Sequence, residues 1–133
     1  MSAAMLLVPV RADRSPIHGL GLFAREPIAA GTPVWRFLPG FDRVFEASEF
    51  AALPEPARRH LQHYGWLDAA RQAWVLDGDL AIFMNHAATP NTGAPRATGP
   101  AAETVALRSI AAGEELTCDY RTFDGARKPI DPA

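Results

Sequence analysis

The stretch "FMNHAATPNT", residues 83–92, sets an Asn–His pair shortly ahead of a Pro–Asn pair. These residue types suit three uses: metal ligation, nucleophilic catalysis with the histidine as base, and a polar turn. No other histidine of the chain forms a ligand set with His86, so a metal site is not expected. Cys118 could supply a nucleophile, but no nucleophile elbow or oxyanion-hole signature accompanies it. Taken alone, the stretch is explained by a turn.

The composition is that of one ordinary globular domain. The 133 residues are 48% hydrophobic and 21% charged, and the net charge of −2 argues against direct nucleic-acid binding. The single cysteine, Cys118, excludes an internal disulfide and an all-cysteine zinc cluster, and it fits a reducing compartment. "MSAAMLLVPV", residues 1–10, has no basic residue ahead of its apolar run and is too short to span a membrane. We therefore expect a first β-strand there, a cytoplasmic protein and no membrane contact.

Short apolar runs bounded by turn residues predict a mostly β fold. The runs are MLLVPV, LGLFA, PVWRFL, RVF, AWVLD, TVALRSI and ELTCDY. Between about 47 and 66 the apolar residues recur instead at helical spacing, which predicts one or two short helices ending at Gly65. Two similar segments, PIAAGTPVW and SIAAGEELT, predict turns in which Gly31 and Gly113 adopt a positive φ. The polar, Pro-rich segment 93–103 predicts a loop or irregular hairpin.

Two further segments change the interpretation of the Asn–His stretch. HGLGLFA, residues 18–24, puts two glycines before a strand but lacks the third glycine and the helix of a dinucleotide-binding motif. GEELTCDY, residues 113–120, ends in a tyrosine behind a short strand. In this order, and with WVLDGDLAIF ahead of the Asn–His pair, the three segments resemble those of the SET-domain protein lysine methyltransferases. The resemblance covers about residues 13–124 and suggests a small, stand-alone, bacterial member of that family.

The resemblance implies the SET-domain β-clip: a mostly β fold of several small sheets with a C-terminal pseudoknot and a short helical insert at about 47–66. Residues 1–133 would form one SET domain, with its core at about 13–124 and a short tail at 121–133. Threading of the tyrosine segment through a loop would bring that segment beside the Asn–His pair.

The same resemblance assigns roles to individual residues. S-adenosylmethionine would be bound by the glycine segment, the Asn–His pair, the end of the helical insert and the tail, that is, by His18, Gly19, Leu20, Gly21, Tyr64, Asn85, His86 and Phe123. The lysine channel would be walled by Tyr64, Cys118 and Tyr120. The Tyr120 hydroxyl would be the catalytic group that orients the transfer, and no metal is implied.

The chain departs from the family pattern at four positions. Ala87 and Ala88 stand where many members have Ser and Cys, and Ile82 stands where an arginine is common. Cys118 occupies a position at which some members carry Phe or Tyr and thereby limit how many methyl groups are added. A small thiol at this position predicts a roomier channel and higher methylation states.

The function implied is that of an S-adenosylmethionine-dependent protein lysine N-methyltransferase. It would transfer methyl by in-line displacement to an accessible lysine of a protein substrate, such as a histone-like or ribosomal tail. The alternative is a SET-like module that binds peptide or cofactor without turnover. Because so short a core often needs a partner to complete its surface, a homodimer is a further expectation.

Overall fold

The computed structural model of the protein describes residues 5–95 and 103–125. Most of the loop predicted at 93–103 and the tail beyond Gly125 lie outside the described residues. No helix in the described part of the chain is long and apolar enough to cross a membrane.

Short strands dominate the described ranges, with two helices and two 3-10 turns between them. In chain order the elements are β1 (Met5–Leu6), β2 (Val10–Arg14), β3 (Leu20–Ala24), β4 (Pro33–Arg36), β5 (Arg43–Phe45), α1 (Ala47–Ala52), α2 (Glu55–Tyr64), β6 (Trp66–Asp68), β7 (Ala73–Leu76), a 3-10 turn (Leu80–Phe83), β8 (Asn85–His86), β9 (Thr92–Gly93), β10 (Thr104–Ala106), β11 (Glu115–Cys118) and a second 3-10 turn (Tyr120–Thr122).

The strands form three small sheets within the described residues, with the orders β1-β4-β10-β9, β2-β3-β11-β8 and β5-β7-β6. Neighbouring strands are antiparallel except β8 and β11, which are parallel. The expected mostly β architecture of small sheets with a short helical insert is therefore confirmed.

One apolar cluster joins the first two sheets. Leu22 from β3, Val34 from β4 and Leu116 from β11 are fully buried in it, together with Ile110 from the turn before β11. Hydrophobic burial of this kind holds β11 in the centre of the second sheet, beside β3. The functional segments are consequently attached to the best-packed part of the molecule.

The two helices lie within the insert predicted at about 47–66. Pro54 caps α2, whose first turn contains Pro56, and the helix buries Leu61. Gly65 ends α2 as expected, but its φ of −86° is not left-handed. A side chain is excluded there for another reason, because a Cβ would lie 2.7 Å from the Leu61 carbonyl oxygen and 2.8 Å from that of Val75.

Every apolar run named in the sequence contains a strand; LGLFA and RVF match their strands, and the other five runs are longer than the strands they contain. The expected N-terminal strand is only Met5–Leu6, and a separate strand begins at Val10. That second strand, VRADR, is mostly polar because one of its faces is exposed. It could therefore not be recognised as a strand from a run of apolar residues. The predicted turn glycines are confirmed, with φ of 83° at Gly31 and 84° at Gly113.

Candidate functional site

The parallel pairing of β8 with β11 brings the Asn–His stretch and the tyrosine stretch together, as expected. Asn85 lies opposite Thr117, and His86 lies opposite Cys118. Strand β11 has β3 on its other side, through the pairs Leu22–Leu116 and Phe23–Glu115. All three motif segments therefore meet at one central strand.

The side chain of Asn85 ties the glycine segment to this strand. Its Nδ2 group donates to the carbonyl oxygens of His18 (3.0 Å) and Leu20 (3.1 Å) and to Glu115 Oε2 (3.0 Å). Asn85 is 6% exposed. Since the amide nitrogen is occupied by these acceptors, a contact of Asn85 with a cofactor would use its Oδ1 or its backbone.

The carboxylate of Glu115 explains why position 21 is a glycine. Both carboxylate oxygens accept from Ser15 Oγ at 2.8 Å. A Cβ on Gly21 would overlap Glu115 Oε2 and lie 2.9 Å from its Cδ and 3.0 Å from Ser15 Cβ. Gly19 differs, because its φ is +44° and a Cβ there would meet nothing within 4 Å. Open space for a ligand thus adjoins Gly19, while the space at Gly21 is filled by the protein itself.

Asn91 and Thr92 hold β11 from the other end of the stretch. Asn91 Oδ1 accepts from the Thr117 N–H at 2.8 Å, and Asn91 Nδ2 donates to the Glu115 carbonyl oxygen at 2.8 Å. The Thr92 hydroxyl donates to the Thr117 carbonyl oxygen at 2.7 Å. The Pro–Asn pair therefore does more than shape a turn, because its asparagine supplies hydrogen bonds that a neighbouring strand would otherwise provide.

His86 has a structural contact that decides its tautomer. The Tyr120 N–H donates to His86 Nδ1 at 3.1 Å, so this nitrogen carries no proton. Asp119 Oδ1 lies 3.6 Å from the same nitrogen. The Cys118–His86 dyad is not supported, because Nδ1 is already engaged with the backbone and is not available as a base for the thiol.

Tyr120 is a neutral hydrogen-bond donor. Its hydroxyl donates to the Met84 carbonyl oxygen at 2.7 Å. Burial raises the pKa of Tyr120 well above its ordinary value, and the nearby Cys118, Asp124 and Glu115 raise it further. The phenol therefore keeps its proton near neutral pH and orients neighbouring groups without acting as a base.

A cavity of about 160 Å³ opens beside Tyr120. Its wall is largely aromatic and apolar, and includes Trp35, Tyr64, Trp66, Met84, Cys118 and Phe123. Phe123 packs edge-on against Trp66, with ring centroids 5.4 Å apart, and against Tyr120, with centroids 6.1 Å apart. An aromatic cavity of this kind suits the aliphatic stem and the cationic or amine head of a lysine.

The predicted site residues fall into two groups. His18, Gly19, Leu20 and Gly21 lie with Asn85, whereas the three residues predicted to wall the lysine channel, Tyr64, Cys118 and Tyr120, all line the cavity together with Phe123. Among the described residues of the cavity wall there is none of the glycine segment and neither member of the Asn–His pair. The binding roles assigned to these residues stay predictions.

The first group fits the cofactor that the resemblance implies. His18, Gly19 and Leu20 are exposed, with the apolar Leu20 side chain 46% accessible, and there is open space at Gly19. An apolar surface beside free backbone suits a nucleoside with hydrogen-bonding edges. Within 5–95 and 103–125, no three or more His, Cys, Asp or Glu side chains are grouped so that they could hold a metal ion.

The sequence analysis did not identify several residues of the site. Trp35, His63 and Trp66 line the cavity, yet each stands in an apolar run or a helix where a core role is the simpler reading. Ser15 and Glu115 give no local signal, since their contact joins positions 100 residues apart. Only the place of Glu115 within the GEELTCDY segment could have drawn attention to it.

Comparison with known proteins agrees with this geometry. Residues 19–121 match the SET domain family. The H3 lysine-4 specific histone-lysine N-methyltransferase of Yarrowia lipolytica is 35% identical over 122 residues, which are 85% of this chain and 10% of that protein. Human histone-lysine N-methyltransferase SETD1A is 32% identical over 122 residues, which are 84% of this chain and 7% of that protein. The chain thus spans a tenth or less of the length of these relatives.

A solved structure gives the same fold. In Polycomb Repressive Complex 2 from Chaetomium thermophilum bound to GSK126, one chain superposes with a TM-score of 0.65 at 25% identity, over 89% of this chain and 16% of that one. These relatives are eukaryotic, so the suggested bacterial, stand-alone character stays a prediction. The family match over most of the chain and the shared fold show that this protein belongs to the SET domain family.

Proposed function

We propose that this chain is a protein lysine N-methyltransferase that uses S-adenosylmethionine. The observation that carries the proposal is the division of the predicted residues into two groups beside one central strand. One group surrounds the exposed glycine segment, and the other walls an aromatic cavity at the Tyr120 hydroxyl. A methyl donor and a lysine bound on these two sides would meet at Tyr120.

The cavity supplies conditions that the reaction needs. A free lysine has a pKa near 10.4 and enters mostly as the unreactive ammonium. The apolar part of the wall disfavours the charged form, because burial lowers the pKa of an amine, whereas the carboxyl groups of Asp77 and Asp124, which also line the cavity, act in the opposite direction when ionised. Ring faces of Trp66 and Phe123 hold the alkyl stem, which aligns the amine for attack. The proton can leave through water, so a dedicated base is not required.

S-adenosylmethionine, when bound, supplies a methyl group on a positive sulfur. The chain's part is to position it: the carbonyl oxygens of His18 and Leu20 are fixed by Asn85, which holds the exposed segment in one conformation. The neutral Tyr120 hydroxyl is fixed by the Met84 carbonyl oxygen, which sets the shape of the passage between the two sides. Rigid alignment of the amine, the methyl group and the sulfur supplies much of the rate in such a displacement.

Cys118 bears on how many methyl groups are added. It lies on the cavity wall, two residues before Tyr120, and a thiol is smaller than the Phe or Tyr of some family members. We propose that the channel accepts methylated lysine and that di- and trimethyl products accumulate. Mass spectrometry of the modified protein tests this idea, which a purely monomethyl product would contradict.

The substrate proposed is an exposed lysine in a basic protein tail. The Yarrowia relative is named as specific for lysine 4 of histone H3, which makes an H3 N-terminal peptide a reasonable first probe. The net charge of −2 is compatible with a basic partner. A cytoplasmic location and a homodimer also stay proposals, to be tested by cell fractionation and by light scattering of the purified chain.

Transfer of a labelled methyl group tests the enzymatic proposal. Wild-type protein with labelled S-adenosylmethionine should modify the H3 peptide or proteins of a whole-cell lysate, and Tyr120→Phe should reduce the rate at least tenfold while the fold is kept. The alternative, a module that binds without turnover, is favoured if calorimetry shows cofactor binding while wild type and Tyr120→Phe label nothing.

A further inference from the structure

Among the described residues, the indole N–H of Trp35 is a buried donor without a hydrogen-bond acceptor. Trp35 is 7% exposed, and its Nε1 makes no hydrogen bond within the part of the chain that the structure describes. Leaving a buried donor unsatisfied costs about 1–3 kcal/mol, so such groups usually have a function or a ligand. Trp35 is also one of the residues that line the aromatic cavity.

The local backbone accounts for the position of Trp35. In β4 the preceding residue, Val34, is fully buried in the main apolar cluster, which does not include Trp35. The register between β4 and β10 shifts next to Trp35: Thr104 pairs with Trp35, but the following residue, Val105, pairs with Pro33. Such a bulge redirects side chains and is frequent next to functional sites. Val34 is therefore part of the core, and Trp35 lines the cavity.

We expect the acceptor for the Trp35 indole N–H to come from the lysine substrate and not from the cofactor. The cavity wall contains the predicted channel residues but none of the glycine segment or the Asn–His pair within the described residues. A lysine that enters the cavity brings main-chain carbonyl groups with it, whatever its neighbours are. Each of these carbonyls is an acceptor that would satisfy an indole N–H.

Resting on the function proposed above, we propose that the Trp35 indole N–H donates a hydrogen bond to a main-chain carbonyl oxygen of the protein substrate beside the target lysine. This contact makes Trp35 a substrate-binding residue that recognises the peptide backbone and not a particular side chain. It also accounts for a tryptophan that is buried outside the core cluster.

Nuclear magnetic resonance tests the contact without any need for turnover. The chain has three tryptophans, so ¹⁵N-indole labelling gives three signals, which Trp35→Phe assigns. Nα-acetyl-lysine N-methylamide, which carries two carbonyl groups, should move the Trp35 indole proton downfield. n-Butylamine, which has the amine and no carbonyl, should leave that proton nearly unmoved. An equal shift with both probes, or no shift with the amide, would overturn the proposal.

Kinetics give the second test, with the H3 peptide or the substrate found in the lysate. Trp35→Phe keeps an aromatic ring but removes the pyrrole ring that carries the N–H, and should raise the KM for peptide about 2- to 10-fold, the worth of one hydrogen bond. The KM for S-adenosylmethionine should stay as in wild type and kcat should change less than the KM for peptide, both measured at a temperature where the variant is folded. Trp74→Phe is the matched control, because Trp74 stacks on Phe50 and is not part of the cavity wall.

The two tests separate the failure of this inference from failure of the enzymatic proposal. Methyl transfer with an unchanged peptide KM in Trp35→Phe overturns the inference and leaves the function standing. A Trp35 indole shift with the amide probe, but without methyl transfer by wild type, supports the contact and contradicts the function. A melting temperature that falls while KM is unchanged assigns Trp35 a structural role and also overturns the inference.

Discussion

The contact between Glu115 and position 21 shows how one residue constrains another that is distant in sequence. Gly21 has ordinary φ, so its requirement for glycine comes from space that the Glu115 carboxylate occupies. That carboxylate is held by Ser15 and Asn85 and cannot move without breaking their hydrogen bonds. The steric need for glycine is thus coupled to the network that fixes the exposed segment.

We expect Gly21→Ala to lower the free energy of unfolding by about 1–3 kcal/mol, because the displaced carboxylate leaves polar groups unsatisfied. In a Glu115→Ala background the same Gly21→Ala change should cost far less, since the obstacle is gone. Urea denaturation of the four proteins in this double-mutant cycle gives the coupling energy. Additive effects of the two changes would show that Gly21 is needed for a different reason.

The raised pKa of Tyr120 has a consequence for stability at alkaline pH. A group with a raised pKa in the folded state holds its proton when the unfolded chain has lost it, so its contribution is complete below about pH 10 and is lost as pH rises further. The wild-type free energy of unfolding should therefore fall above about pH 10, by up to about 1.4 kcal/mol per pH unit from this group.

Tyr120→Phe provides the comparison, because it removes the titrating group and keeps the ring. The stability difference between wild type and Tyr120→Phe should shrink as the pH is raised from 9 to 11 in urea denaturation experiments. A difference that stays constant over this range would mean that the hydroxyl is not buried as the structure shows.

At the scale of elements, β11 depends on side chains as well as on its neighbouring strands. Asn91, 2% exposed, makes one hydrogen bond to the Thr117 N–H and one to the Glu115 carbonyl oxygen. We expect Asn91→Leu to lower the free energy of unfolding by about 2–5 kcal/mol, because two backbone groups lose their partners. Thr89→Ala, at an exposed position in the same loop, should change it by less than about 0.5 kcal/mol.

Urea denaturation of both variants is the measurement. If Asn91→Leu is as stable as wild type, the asparagine only completes a turn, which is what the sequence alone suggested for it. A large loss would instead make the Pro–Asn half of the stretch part of the framework that places Tyr120.

These elements also show what can and cannot be predicted from one sequence. Turns set by local chemistry, such as those at Gly31 and Gly113, follow from the residues themselves. The helical insert can also be predicted, because the helical spacing of its apolar residues and the positions of its prolines are local signals. Strand β8 has only two residues, and its parallel pairing with β11 arises from contacts 32 residues apart in sequence, which no local pattern encodes. Recognition of the family motifs supplied that link.

At the scale of the whole molecule, the residues predicted for the site form two groups, one at the glycine segment with Asn85 and one around the aromatic cavity, which we propose to be the cofactor side and the substrate side. The resemblance named members of both groups, whose binding roles stay predictions, but only the fold shows that Phe123 lies with the cavity and that Trp35 and Trp66 also line it. Such aromatic residues are assigned to a core by default, because burial in a core and burial around a cavity have the same sequence pattern.

This division predicts that substitutions on one side weaken the binding of one ligand and leave the binding of the other ligand unchanged. S-adenosylhomocysteine at a hundred times its Kd should stabilise wild type by about 2.7 kcal/mol. Asn85→Ala frees the carbonyl oxygens of His18 and Leu20, so it should weaken S-adenosylhomocysteine binding at least tenfold, measured by calorimetry at a temperature where the variant is folded.

Trp66→Leu removes an aromatic wall of the cavity and should raise the KM for peptide while cofactor affinity stays within twofold of wild type. If Trp66→Leu weakened S-adenosylhomocysteine binding as much as Asn85→Ala, the proposed division into two separate sides would be wrong, because a change in the cavity wall would then reach the cofactor either through a shared site or through β11, to which both groups are attached.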